Sequence, residues 1–397
     1  MQCSAGSVSE VFFTFLKLGL TSFGGPVAHI GYYRRELLER RRWVDEGEFA
    51  QLLALCQFLP GPASSQFGFG MGLLRAGWAG AFAALVAFML PSALLMFAFA
   101  TLLPQVSGTV GEAAIHGLKL IALAVVAHAV LGMTRQLCPD AVRAAIATFA
   151  AAIMLVSGQA WAQLIVIALG GVAGLAWCLN VQPMAGNRIE LRYGPALGWM
   201  LLAVFGLLLV GLPFAAQGGG GLLAVFEAFY RSGALVFGGG HVVLPLLEET
   251  VVSPGWISPD AFLAGYGAAQ AVPGPMFTLA AYLGARLPGG DGGVIGASVA
   301  LGAIFLPGYL LVAGALPLWR MVLARPFAAR AIAGVNAAVV GLLGAALYDP
   351  VWISAVRGPL DLAIALVGFT LLAAWRVSAI FVVIWCVVAS VAAAILL

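Results

Sequence analysis

The chain has 397 residues, 62% of them hydrophobic and 9% charged. An average soluble domain is about 25% charged, so a soluble globular protein is excluded and an all-α polytopic membrane protein is expected. The net charge of +3 is spread over loops between apolar runs, which argues for loop orientation in a bilayer and against nucleic-acid binding.

Residues 8 to 25 form the first apolar stretch. It holds Lys17 in its middle and has no small-residue cleavage site after a basic start, so no signal peptide is evident and the chain is expected to insert whole. Phe23-Gly24-Gly25-Pro26 follows. An arginine-rich loop with Arg34, Arg35, Arg40, Arg41 and Arg42 then leads to Trp43. Residues 45 to 59 predict a helix of about 22 Å, broken at Pro60-Gly61-Pro62, and residues 63 to 74 a second of about 18 Å. Neither crosses a hydrocarbon core of about 30 Å alone. The two prolines remove backbone donors and push the residues before them out of helix, and broken backbone at membrane depth is tolerated only where it is buried in protein or lines a cavity. Apolar runs follow at residues 77 to 103, 111 to 133, 141 to 157 and 161 to 179.

A polar loop from Asn180 to Tyr193 closes the first half, residues 195 to 213 read as a connector helix, and Gly218 to Gly221 lead into the second half. There the pattern returns. Arg231 answers Lys17, and Phe237-Gly238-Gly239-Gly240 answers Phe23-Gly24-Gly25-Pro26. Trp43, Phe49, Gln57 and Pro60-Gly61-Pro62 reappear with identical spacing as Trp256, Phe262, Gln270 and Pro273-Gly274-Pro275, and Leu90-Pro91 reappears as Leu306-Pro307. An internal duplication is the simplest cause. The expected organisation is an N-terminal repeat over 1–180, a loop and connector over 181–221, and a C-terminal repeat over 222–397. Each repeat carries a Pro-Gly-Pro-broken helix or re-entrant hairpin, the second over residues 258 to 272 and 276 to 287, with spans after it at 292 to 319, 326 to 347, 358 to 375 and 377 to 396. Two broken helices at matching places are the best sequence pointer to a transporter's binding site.

Charge sets the expected orientation. With the first broken element re-entrant, the arginines from Arg34 to Arg192 fall on one face, which the positive-inside rule makes cytoplasmic. In the second half the matching loop, His241 to Gly255, has no Lys or Arg and carries Glu248 and Glu249, whereas Arg320, Arg325, Arg330 and Arg376 gather on the opposite face. The bias predicts inverted repeats. A plain count of crossings would instead leave the halves parallel, so one short segment is expected to be miscounted.

These motifs resemble the chromate ion transporter family in its long two-domain form. The likeness rests on Phe23-Gly24-Gly25-Pro26, Trp43, Gln57 and Pro60-Gly61-Pro62, and on Phe237 to Gly240, Trp256, Gln270, Pro273-Gly274-Pro275 and Phe305-Leu306-Pro307, and it covers nearly the whole chain. It implies a multi-pass protein of the bacterial cytoplasmic membrane that exports chromate, with oppositely oriented halves. A fold and its motifs also serve related anions, so the expected partners are chromate or a similar tetrahedral oxyanion and the lipid bilayer.

Chromate is a tetrahedral dianion, and holding it needs donors and partial positive charge without a permanent trap. Helix N-termini supply both. The half-helices that begin after Pro60-Gly61-Pro62 and Pro273-Gly274-Pro275 would aim such ends inward, with Ser64, Ser65 and Thr278 adding hydroxyls; the competing reading is a plain kink. Lys17 and Arg231, charges that are costly within short apolar helices, face one shared anion or snorkel to an interface. Gln57 and Gln270 donate to the anion or cap freed carbonyls. Gly24, Gly25, Gly238 and Gly239 form an anion-binding nest or allow close helix packing. His29, Glu36, His241 and Glu249 are proton-coupling candidates or interfacial residues. No His or Cys pair has metal-ligand spacing, no catalytic set suggests hydrolysis, and no cofactor is expected. The rivals to an oxyanion exporter are a channel or transporter for another inorganic anion and a membrane-embedded redox enzyme.

Overall fold

The structure, a computed structural model, describes residues 6–23, 25–102, 108–157, 160–181, 193–216, 221–236, 243–319 and 326–396. Gly24, Gly238, Gly239 and His241 lie outside the described residues. The helices run as α1 (Val8–Thr21), α2 (Gly25–Tyr33, continued by a π-helical turn Arg34–Arg40), α3 (Glu46–Phe58), α4 (Ala63–Leu102), α5 (Gly108–Leu137), α6 (Ala141–Ser157), α7 (Ala160–Trp177), α8 (Pro195–Ala215), α9 (Leu222–Ala234), α10 (Val243–Val251), α11 (Pro259–Ala271), α12 (Leu279–Ala285), α13 (Gly293–Ala315), α14 (Pro326–Ala346), α15 (Pro359–Ala373) and α16 (Ala379–Leu396). Among the described residues there is no strand. By length and composition α4, α5, α8, α13, α14 and α16 can each cross a membrane.

Local chemistry fixes where the short helices begin. α3 starts in a capping box, in which Asp45 accepts from the Glu48 amide at 2.8 Å and Glu48 accepts from the Asp45 amide at 3.1 Å. Its repeat partner α11 starts at Ser258, whose hydroxyl oxygen accepts from the Ala261 amide at 3.3 Å, with Pro259 at the first helical position. Such caps contribute about 1 kcal/mol each. α4 reverses within itself at Ala76 and Gly77, where Gly77 takes φ 65°, so residues 63–75 form a half-helix and residues 78–102 the span. The second half-helix is shorter than its sequence predicts. Met276–Thr278 is a 3₁₀ turn, because the Thr278 amide and hydroxyl both donate to the Pro275 carbonyl, at 3.0 and 2.7 Å, and α12 ends at Ala285.

The chain forms two compact units, and each draws on both repeats. The first comprises Met1–Leu95, Pro183–Gly240 and Pro273–Arg325. In it α1 lies on the second arm of α4, with Gly19 against the Phe88 backbone, and α9 lies on α13, with Gly233 against Ile304. The same contact is thus built once per repeat. The connector α8 packs on α13, where Gly198 meets Gly314.

The second unit comprises Met96–Gln182, His241–Val272 and Pro326–Leu397. Within it the repeats exchange partners. α5 of the first repeat packs on α15 and α16 of the second, and α14 of the second packs on α6 and α7 of the first. Glycines make both crossings close: Gly117 touches the backbone at Cys386 and Val387, and Gly334 the backbone at Gly170 and Gly174. α11 also belongs to this unit and lies along α5. Cys138, Cys178 and Cys386 are buried free thiols here, as Cys56 is in the first unit.

Candidate functional site

Both Pro-Gly-Pro breaks fall in the first unit. α3 closes when the Leu59 amide donates to Leu55 O at 3.0 Å, and the flanking prolines leave Gly61 as the sole amide donor of the break. Its φ of 121°, like the 100° of Gly274, is open to glycine and strained for other residues. The Gly61 amide donates to Val236 O at 2.6 Å, and the Gly274 amide to Ser22 O at 2.9 Å. Val236 and Ser22 hold equivalent places, each one residue before its repeat's Phe-Gly-Gly turn. Each break is therefore tied to the end of the other repeat's first helix.

A second reciprocal contact lies beside the first. A side chain on Gly61 would meet Gly308 Cα at 3.1 Å, and one on Gly274 would meet Ser92 Oγ at 2.9 Å. Gly308 follows Pro307 and Ser92 follows Pro91. The Leu-Pro correspondence in the sequence thus marks the helix surface on which the opposite repeat's break rests.

The half-helix after the first break begins with the Gln66 amide donating to Pro62 O at 2.9 Å, and the amides before it have no partner within the helix. Ser64, Ser65 and Gln66 are all buried there, as Thr278 is at the second break. Gln66 carries no sequence expectation, yet its Nε2 donates to Pro60 O at 2.8 Å and to Gly308 O at 3.2 Å. It joins the break, the half-helix and the second repeat's span. Its place one turn after a Pro-Gly-Pro was a usable signal.

The cations come with counter-ions. Lys17 Nζ lies 2.9 Å from Glu36 Oε2, and Glu36 also accepts from Arg41 at 2.9 Å and Arg40 at 3.1 Å. Burial pushes the Glu36 carboxyl up, but the hydrogen bonds from Arg41, Lys17 and Arg40 outweigh it and hold it down at about 2. Beside this cluster Glu10 accepts from Trp43 at 3.2 Å and Arg75 at 3.3 Å. The guanidinium groups of Arg41 and Arg75 sit 5.6 and 5.2 Å from the Trp43 ring. Arg231 pairs with Glu227 at 2.9 Å one turn earlier on α9. Lys17 and Arg231 side chains are 49% and 44% exposed.

Gln57 is exposed and Gln270 buried, with Gln270 Nε2 donating to Tyr266 O at 3.5 Å. His29 is fully buried in α2, its Nε2 3.2 Å from Ser22 O. That carbonyl also receives the Gly274 amide, so the His29 tautomer that donates from Nε2 fits, and Nδ1 is an acceptor with no hydrogen-bond partner among the described residues. Glu249 is half-buried in α10. Among the described residues no group of His, Cys, Asp and Glu is arranged to hold a metal.

The family model described as "Chromate transporter" matches residues 9–175 and again residues 223–392. The chain is 30% identical to the chromate transport protein of Pseudomonas aeruginosa over 93% of this chain and 88% of that protein. It is 30% identical to the probable chromate transport protein of Synechococcus elongatus over 86% of this chain and 84% of that protein. It is 28% identical to the chromate transport protein of Cupriavidus metallidurans over 92% and 87%. No solved structure matches the chain.

Proposed function

The chain belongs to the chromate transporter family, and on that premise we propose that it carries chromate and sulfate-like oxyanions outward across the bacterial cytoplasmic membrane by alternating access. It is a multi-pass membrane protein and a transporter rather than an enzyme. The observation that carries the reading is the reciprocal tie of Gly61 to Val236 and of Gly274 to Ser22, by which each break is held at the end of the other repeat's first helix. Broken helices held each by the other repeat are a design for presenting helix N-termini to an anion.

In this reading the amides and hydroxyls at Ser64 and Ser65, after Pro60-Gly61-Pro62, receive the oxyanion, and Pro273-Gly274-Pro275 forms the other repeat's break; Thr278 would join only by releasing Pro275 O, to which its amide and hydroxyl both donate. Lys17 and Arg231 act by exchange, because an arriving dianion competes with Glu36 and Glu227 for them. His29, Glu36, His241 and Glu249 are the groups through which protons would couple. The repeats are inverted, which lets one site face each side in turn. A negative-inside potential favours expelling a dianion by about 2 × 2.3 kcal/mol per 100 mV, so export can run without a coupled ion.

The test is uptake of labelled chromate by everted vesicles with unlabelled sulfate as competitor. Vesicles containing the protein should accumulate chromate, and sulfate should slow them. Uptake no greater than that of vesicles lacking the protein would contradict the proposal.

A further inference from the structure

We propose that the hydroxyls of Tyr33, Tyr309 and Ser65 form an uncharged seat for the oxyanion at the start of the 63–75 half-helix, held in place by Gln66. The seat rests on the oxyanion reading above and adds residues from α2 and α13 to it.

Tyr33 ends α2 and is fully buried. Its ring stacks on Phe67 at 5.4 Å and meets the edge of Phe15 at 6.0 Å, so the ring direction is fixed. Its hydroxyl has no hydrogen-bond partner among the described residues, and neither has Ser65 Oγ nor Gln66 Oε1. Tyr309 comes from the other repeat, its ring stacked on Phe69 at 4.8 Å. Its hydroxyl meets Met89 Sδ at 3.7 Å, a weak acceptor. The Tyr33 hydroxyl lies 3.6 Å from where a side chain on Gly68 would begin, one turn after Ser65 on the same half-helix, and Tyr309 adjoins Gly308, whose carbonyl takes the Gln66 side-chain amide.

Buried hydroxyls without partners are destabilising and uncommon in native interiors. Here they gather where a half-helix also presents unpaired amides. Rigid aromatic rings aim the oxygens, and Gln66 Nε2 pins the break to the second repeat. A ligand rich in acceptor oxygens would satisfy these donors, and a tetrahedral dianion has four such oxygens. Neutral donors suit a carrier better than a bare cation. They strengthen in a low-dielectric interior, yet they leave no fixed charge to hold the ion back at release. Lys17 and Arg231 are paired with Glu36 and Glu227.

The experiment uses full-length wild type, Tyr33→Phe and Tyr309→Phe. Each is assayed for chromate uptake in everted vesicles and for thermal unfolding in detergent with and without chromate or sulfate. Phenylalanine keeps the ring and removes only the hydroxyl. Each variant should melt no lower than wild type without anion, lose the stabilisation that an oxyanion gives wild type, and show a chromate KM raised about tenfold. A wild-type KM and wild-type stabilisation in both variants would overturn the seat while leaving chromate transport standing. A lower melting temperature without anion would give the hydroxyls a structural role and overturn it too. If wild type moves no chromate but sulfate stabilises it and not the variants, the seat holds and the chromate reading falls. If neither ion stabilises wild type, the seat is wrong.

Discussion

α3 and α11 carry the same signature and are used differently. Both start at a capped residue two after the Trp and end at a Pro-Gly-Pro break. In α3 only Phe49, Leu52, Leu55 and Cys56 are buried, whereas in α11 every residue from Phe262 to Gln270 is. The residues between the shared positions make the difference. α11 reads Ala264-Gly265-Tyr266-Gly267-Ala268-Ala269, and Gly267 lets α5 approach until its Leu118 carbonyl fills the space a Cβ would need. The matching stretch of α3 has Leu52, Leu53 and Leu55 around Ala54. Caps and breaks are therefore common to the two repeats, while the faces are not.

The environments before the two helices differ as well. Near α3, Glu36 is held low among Arg40, Arg41 and Lys17. Near α11, burial together with Asp349 and Glu249 pushes the Glu248 carboxyl up to about 7. The same residue type thus works in opposite directions, set by what surrounds it.

The comparison breaks most sharply at Gly267. Gly267→Val should cost about 1–3 kcal/mol or more by overpacking against the α5 backbone, whereas Ala54→Val in α3 should cost under about 1 kcal/mol. Thermal unfolding of the purified variants reads the contrast, and equal losses would mean that α3 and α11 are packed alike. A smaller effect follows pH. The Glu36 cluster contributes stability that is complete above about pH 4.5, the ordinary carboxylate value, and is lost as pH falls toward 2. Glu248 runs the other way, its folded form favouring the proton, so its contribution falls as pH rises from about 4.5 to about 7. Melting curves across pH should flatten on the acid side in Glu36→Gln and on the neutral side in Glu248→Gln; unchanged curves would remove the contrast. Labelling gives no energy change at all but fixes orientation. Single cysteines at Arg41, before α3, and Ser253, before α11, in a background without native cysteines, should react with an impermeant maleimide from opposite sides. Reaction from the same side would make the repeats parallel.

The breaks were legible in the sequence because proline and glycine constrain the backbone locally. The pairing of repeats was legible because spacing survives duplication. The hydroxyl seat was not. A leucine stands where the second repeat would match Tyr33, Leu279 where it would match Gln66, and Ala93 where the first would match Tyr309, so a search for doubled residues passes over all three. Nor was the counter-ion of Lys17, since Glu36 reaches it only once α2 and its π-helical turn fold back. The exchange of helices in the second unit depends on single glycines such as Gly117 and Gly334, and a lone glycine within a helix does not announce which face it opens.

The most direct test of the central claim, that the two breaks build one site, is chromate uptake by everted vesicles carrying Gly61→Ala or Gly274→Ala. Each substitution strains a positive-φ position by about 1–2 kcal/mol and crowds the opposite repeat's span. Either change alone should lower uptake at least about tenfold with the protein still in the membrane. Full uptake from either variant would contradict a site that needs both breaks.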